Sequence, residues 1–441
     1  MRRSSVTGPH GHRPVPRRRS SAPRGLLSAA AVLSLIGAAC QGERADYARD
    51  ASLGSGGGSG SGGAGGAQLD ASVEHTICTA DDQCAAPRFC SAGACISTVN
   101  LAGNGDLETG TTTGWAPFAG GTLGLSSTAS GGVAHDGQYS VSVTGRTQYY
   151  QGPSYQMPTG LGQYAISAWG LQKDDPSITG VLQLEVICAT TTSYVAVQPT
   201  GSFGVTMAQN TWTMFSATVD TSTGVMMPAD CDPNATPPGV VKTAVLYLNH
   251  VMNPTPVALP DLYMDDLVVQ VQDGHNLVGN PNFEAGVTDG WSVNGGGSPL
   301  AISSTVAHGG THSLWLSGRT TTASGPRYTA LPIGTASYNL TFWVQHNGTA
   351  THDLNLQAAY TCIGSTQVLP PPIATATAVA GSTWTQLGGT LTLPPANATP
   401  GCALAQATVF VTQEAGTCGT GAGQVECPDL FVDDVSITLA P

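Results

Sequence analysis

Residues 100–115 read NLAGNGDLETGTTTGW, and residues 276–291 read NLVGNPNFEAGVTDGW. The two stretches share Asn104/Asn280, Glu108/Glu284, Gly110/Gly286, Gly114/Gly290 and Trp115/Trp291 at a constant spacing. Downstream the correspondence continues through His135/His308, Ser140/Ser313, Gly145-Arg146/Gly318-Arg319 and Gly152-Pro153/Gly325-Pro326. Tyr164/Tyr338, Trp169/Trp343 and Trp212/Trp384 follow, and DLYMDD (Asp261 to Asp266) is answered by DLFVDD (Asp429 to Asp434). Such self-similarity means one structural unit used twice. The copies occupy residues 99–272 and 275–441.

Within each copy apolar residues alternate with polar ones, as in Ser140-Val141-Ser142-Val143 and Val409-Phe410-Val411, between turns rich in Gly, Pro and Asn. Period two with regular turns is the pattern of a sandwich or barrel. With 57 Gly, 29 Pro and only 10% charged residues, the chain is also poor in the residues that build long helices. The expected fold is all-β: two tandem β-sandwich jelly rolls behind a disordered signal and linker and a small disulfide-rich segment.

Residues 1–39 read as an export signal. Seven of the 15 Lys and Arg lie in the first 24 residues, and the apolar stretch Gly25 to Ala39 is too short to span a bilayer as a stable helix. It runs into Cys40 through Ile36-Gly37-Ala38-Ala39, similar to a lipoprotein cleavage site. Lipidation of Cys40 would anchor an exported chain at the outer membrane or cell surface; ordinary cleavage after Ala39 would leave it secreted. Parity favours lipidation, because removing Cys40 from 11 cysteines leaves ten that can pair. Beyond the signal, the remaining eight bases face all 28 acids, a net of −20. That charge repels phosphate backbones and excludes nucleic acid as a partner. Residues 40–75, centred on LGSGGGSGSGGAGGA, read as a flexible tether with a reach of roughly 30 to 40 Å.

Cys78, Cys84, Cys90 and Cys95 define a module at 76–98 that is too small to bury a core and must be crosslinked. Two disulfides are expected, with a zinc thiolate site as the competing reading. Cys188 and Cys362 stand at equivalent places in the repeats, as do Cys231 and Cys402. The equivalence pairs Cys188 with Cys231 and Cys362 with Cys402, and leaves Cys418 with Cys427 to close a loop found only in the second copy.

The run N-G-x-[LF]-E, then G-W, A-H, G-R before G-P, and a closing D-L-[YF]-x-D-D resembles the carbohydrate-binding modules of families 4, 9 and 22, which have a galactose-binding-like jelly roll. The resemblance implies binding of a β-glucan or xylan chain without cleavage, and a structural calcium in each module. Its carboxylate ligands would be Glu108 and Asp265 in the first copy and Glu284 and Asp433 in the second, with carbonyls near Asp106 and Asn282. Calcium prefers such oxygen donors. Strand register decides whether Asp265 or Asp266, and Asp433 or Asp434, faces the ion.

For the sugar, the resemblance points to Arg146, Tyr150 and Tyr247 with Asn249 as polar partner, and to Tyr149 and Tyr155 close by. Flat aromatic faces stack on pyranose rings while polar neighbours take the hydroxyls. The second copy keeps Arg319 but has Ala323, Phe410 and Thr412 at the other positions, so its site reads as lost. Because both arginines persist, a buried structural role is the alternative for them. The three tryptophan pairs read as core, and Trp315 as facing the opposite way. The Asp-Asp pairs coincide with the calcium positions, leaving no catalytic carboxylate pair. The chain therefore reads as a monomeric, non-enzymatic polysaccharide-binding lipoprotein. The rival reading is an envelope scaffold or adhesion protein whose modules contact other proteins.

Overall fold

The computed structural model describes residues 78–80, 83–84, 88–92, 94–174, 177–197, 204–222, 229–232, 239–251, 259–272, 274–394, 402–414, 416, 418–419 and 424–440. The signal, Cys40 and the tether at 40–75 lie outside the described residues. Among the described residues, no helix is long and apolar enough to cross a membrane.

Each repeat folds into a sandwich of two antiparallel sheets. In the first module a six-stranded sheet runs in the order Val205–Ala208, Ser177–Ile187, Thr243–His250, Gly152–Met157 and Trp115–Phe118, with Thr192–Ala196 also paired to Ser177–Ile187. Its partner sheet has the order Thr213–Asp220, Gln163–Lys173, Asp261–Val271, Tyr139–Thr144 and Thr122–Ser127. The second module repeats this as two five-stranded sheets. One is Trp291–Asn294, Gly325–Tyr328, Leu404–Gln413, His352–Cys362 and Ala374–Val379; the other is Ala301–Ser303, Ser313–Leu316, Leu430–Leu439, Ala336–His346 and Thr385–Leu393. The alternation seen in the sequence sends Leu182, Leu184, Leu246 and Leu248 inward and leaves Gln183, Glu185, Tyr247 and Asn249 on the opposite face.

The repeated Asn-Leu that opens each copy patches a bulge. After Asp265 the strand shifts register against Gln163–Lys173, and Asp266 adopts φ 49°, a left-handed conformation that leaves ladder groups unpaired. Asn100 fills the gap, its Nδ2 donating to the Leu267 carbonyl (2.9 Å) and its Oδ1 accepting from the Val269 N–H (2.9 Å). Asn276 does the same at Val435 and Ile437 beside Asp434, at φ 44°.

The modules share one continuous buried cluster. Their contacts are reciprocal: the Gly334 N–H donates to the Leu101 carbonyl and the Gly160 N–H to the Leu277 carbonyl, and these are equivalent positions in the two copies. A Cβ on either glycine would overlap the carbonyl oxygen of Asn100 or Asn276. Gly334→Val should therefore separate the modules, with a cost of about 2 kcal/mol or more. Small-angle scattering should show a longer particle and calorimetry a lower Tm; an unchanged profile would mean that the contact is dispensable.

All ten cysteines in the described residues are paired: Cys78–Cys90, Cys84–Cys95, Cys188–Cys231, Cys362–Cys402 and Cys418–Cys427. Disulfide bonding at all four positions of the small module replaces the zinc alternative. That module's hairpin, Arg88–Ser91 and Ala94–Ser97, lies on the outer face of the first module's five-stranded sheet. There Ser91 Oγ meets Thr218 Oγ1 at 2.7 Å and Gln270 Nε2 donates to the Thr98 carbonyl at 3.0 Å.

Candidate functional site

The outer face of the six-stranded sheet carries an aromatic and amide floor. Tyr247 stands across from Ser154 on one side and Gln183 on the other. Its ring is stacked under Phe118, with centroids 3.7 Å apart and planes 7° apart. Phe118 stands opposite Gly152 in the register, on the far side of the strand that pairs with Tyr247. Tyr247 Oη and Asn249 Nδ2 both donate to Gln183 Oε1, at 2.7 and 2.9 Å, so one amide sets the position of two side chains. Burial, with Tyr194 and Glu185 near by, holds the Tyr247 hydroxyl protonated well above the usual tyrosine range. Tyr194, 54% exposed, lies across from Glu185 on the same face, and Tyr150, 37% exposed, packs edge-on against Tyr149. Flat apolar rings interleaved with amides and a carboxylate suit a neutral, hydroxyl-rich chain.

The structure brings Tyr150, Tyr247 and Asn249 to this region but places Tyr247, Arg146 and Tyr155 otherwise than expected. Tyr247 is 2% exposed, so the ring presented to solvent is Phe118, with Tyr247 as its support. Arg146 lies beneath the site. It is 7% exposed and donates from Nε to the Gln151 carbonyl, from Nη1 to that of Pro260, and from Nη2 to that of Tyr149 and to His250 Nδ1. Burial lowers the guanidinium to about 10, partly offset by Asp261, and burial together with Arg146 pushes His250 down to about 4. Since Arg has no acceptor, His250 is the neutral acceptor of that bond. Arg319 is held the same way by the carbonyls of Thr322, Ser324 and Pro428 and by Gln413 Oε1. The structural alternative for both arginines therefore holds. Tyr155 also leaves the site, turning inward to donate to the Gly103 carbonyl. Phe118, Gln183, Glu185 and Tyr194 escaped the sequence reading, although alternation along Val181 to Ile187 puts Gln183 and Glu185 on one face of their strand.

At the end of the sandwich the acidic positions recur in both copies. Asp265 and Asp433 are fully buried, each accepting a 2.8 Å bond from a backbone N–H of the repeated turn, His135 and His308 respectively. Among the described residues neither carboxylate has a cationic partner within ion-pair distance. Burial raises Asp265 to about 7 and Asp433 to about 6. Glu108 and Glu284 grip the other end of the same turns, accepting from Gln138 and Tyr139, and from Thr311 and His312. Asp266 and Asp434 instead accept from, or bond to, the histidine Nδ1, at 2.6 and 2.7 Å.

Those histidines stack on Trp169 and Trp343, with centroids 3.8 Å apart, and meet Trp212 and Trp384 edge-on. Of the three tryptophan pairs only Trp115 and Trp291 are core; the other two are half-buried walls around a histidine. Trp315 does face away from the core, stacked parallel to Phe431 and donating to Asp429.

Two tandem antiparallel β-sandwiches, the first with a ring-bearing outer sheet face and both with a buried carboxylate at one end, define the class of this protein as a tandem β-sandwich module protein. The chain belongs to the carbohydrate binding domain family, whose profile matches residues 99–226 and 275–404. It is similar to an endo-1,4-beta-xylanase A of Thermoanaerobacterium saccharolyticum, 30% identical over 318 residues that cover 68% of this chain. The match spans 24% of that xylanase, so the chain corresponds to about a quarter of its length. An exoglucanase XynX of Acetivibrio thermocellus is 43% identical over 65 residues, 15% of this chain and 6% of that protein. Among solved structures, the N-terminal CBM22-1-CBM22-2 tandem domain from Paenibacillus barcinonensis Xyn10C covers 80% of this chain and 99% of its own, at 18% identity and a TM-score of 0.33.

Proposed function

We propose that the chain binds a neutral β-linked polysaccharide of the xylan class through the first module, without cleaving it, and displays that module at the outside of the cell. The observation that carries this reading is the Phe118–Tyr247 stack beside Gln183, Asn249 and Glu185. The names of the relatives point the same way, since the xylanase that matches most of this chain acts on such a polymer. The absence of chemistry is supported by the state of the acids: Asp265 and Asp433 are buried and held by backbone N–H groups, and Asp266 and Asp434 are bonded to histidines. Glycoside hydrolysis needs two carboxyls flanking a bound chain. Anchoring through Cys40 and the tether at 40–75 completes the reading, with a cell-envelope location. Affinity electrophoresis of the full chain in xylan, β-glucan and cellulose gels tests it: retardation in xylan is expected, and free migration in all three would end it.

Calcium fits the donor set as a structural ion. Hard carboxylate oxygens at both ends of one turn, with Asp265 and Asp433 buried without a countercharge, match its preference for oxygen ligands. Asp265 and Glu108, and Asp433 and Glu284, would hold it with neighbouring carbonyls, and the bound charge would pin the repeated turn to the sheet. An acid whose folded pKa is raised binds more protons folded than unfolded, so the chelated protein gains stability as pH falls from about 7 toward about 4. With calcium present at neutral pH the melting temperature should rise instead. A calcium-independent Tm at pH 7.5, with no gain on acidifying the chelated form, would remove the ion from the account.

A further inference from the structure

The second module keeps the sheet face of the first but inverts its charge. Where the first module has Ser154 the second has Arg327, directly across from Phe410, and where the first has Glu185 the second has Ala359. The amide floor survives in Gln357, at the position of Gln183. The ring of Phe118 is replaced by Asn294, whose Nδ2 donates to the Ala323 carbonyl.

Cations are scarce in these modules. The residues from 99 onward contain only Arg146, Lys173, Lys242, Arg319 and Arg327. Arg146 and Arg319 are buried in carbonyl cages, and Lys242 lies 3.7 Å from Asp289. Arg327 is half-buried on the sheet face, its Nε donating to Ser292 Oγ at 3.0 Å. Among the described residues no carboxylate lies within ion-pair distance of it and its terminal nitrogens have no hydrogen-bond partner. The acid that shares the face along the next strand but one, Asp353, is four residues from Gln357, about 13 Å along the strand, and accepts a bond from the Ala378 N–H. One fixed nitrogen and a free planar fork is the arrangement that takes a carboxylate in bidentate fashion.

We propose that the second module binds a polysaccharide bearing uronic acid, with Arg327 receiving the sugar carboxylate and Gln357 its hydroxyls. This rests on the reading that the modules bind polysaccharide. It gives the two faces different specificities: Glu185 repels an acidic residue from the first, and Arg327 selects it on the second.

The test uses the full chain carrying Phe118→Ala, which disables the first face, with glucuronoxylan and the same polymer after reduction of its carboxyls as probes. The expected result is binding of the native polymer at least tenfold tighter than of the reduced one, weakening with salt, and lost by a further tenfold or more on adding Arg327→Ser. Arg327→Lys should retain part of the binding, as a point charge without the fork. Equal binding of both polymers, or no effect of Arg327→Ser, overturns the proposal; the polymer comparison stands even if that variant does not fold. A wild-type chain that holds neutral xylan but shows no preference for the uronate polymer refutes this inference alone. One that holds neither refutes the proposed function as well.

Discussion

Phe118→Ala should weaken retention of the full chain in neutral xylan by tenfold to a hundredfold, with its melting temperature nearly unchanged. The ring is half-buried and lies on the Tyr247 face rather than in the sandwich interior, so its removal leaves the core intact. A central aromatic anchor commonly carries 2 kcal/mol or more of a binding free energy. Tyr247→Phe keeps the stack and removes only the bond to Gln183, and should cost a few-fold. Affinity electrophoresis ranks the two. If Tyr247→Phe proved as damaging as Phe118→Ala, the hydroxyl rather than the stacked face would be the determinant, and the site would have to be redrawn around Gln183.

Arg319→Met should lower the Tm of the second module by about 10 °C. The substitution preserves much of the volume but strands the carbonyls of Thr322, Ser324 and Pro428 and the Gln413 amide in a buried site. Each unsatisfied buried acceptor costs about 1–3 kcal/mol, and about 1 kcal/mol corresponds to 2–4 °C in a domain of this size. Arg319→Lys should rescue little, since a point charge cannot reach four acceptors. Arg146→Met should behave alike in the first module. A variant that melts normally and only loses sugar binding would return Arg146 to the binding surface; thermal denaturation followed by circular dichroism separates the outcomes.

The fold was legible because its determinants are local and repeated. Alternation in Ser140 to Val143, the paired Gly-Trp and Asp-Asp motifs and the equivalent cysteines each report a strand, a turn or a crosslink without tertiary knowledge. The site was legible only in part. Tyr247 and Asn249 could be placed by resemblance, but the resemblance does not show that Phe118 would cover Tyr247, because that contact crosses an intervening strand at Gly152. Arg146 was left between two roles for a related reason. A Gly-Arg motif reads the same whether the guanidinium faces solvent or closes a loop, and only the carbonyls of Gln151, Tyr149 and Pro260, the last distant in sequence, decide between them. The half-buried Trp169 and Trp212 looked like core because the histidine that separates them comes from a turn far away in the chain.

Backbone amide NMR of the isotopically labelled chain, titrated with xylohexaose, tests the central claim most directly. Shift changes should concentrate on Phe118, Gln183, Glu185, Tyr194, Tyr247 and Asn249, on the outer face of the six-stranded sheet, and spare the opposite sheet. No shift changes at saturating xylohexaose, or changes confined to the other face of the sandwich, would contradict the account.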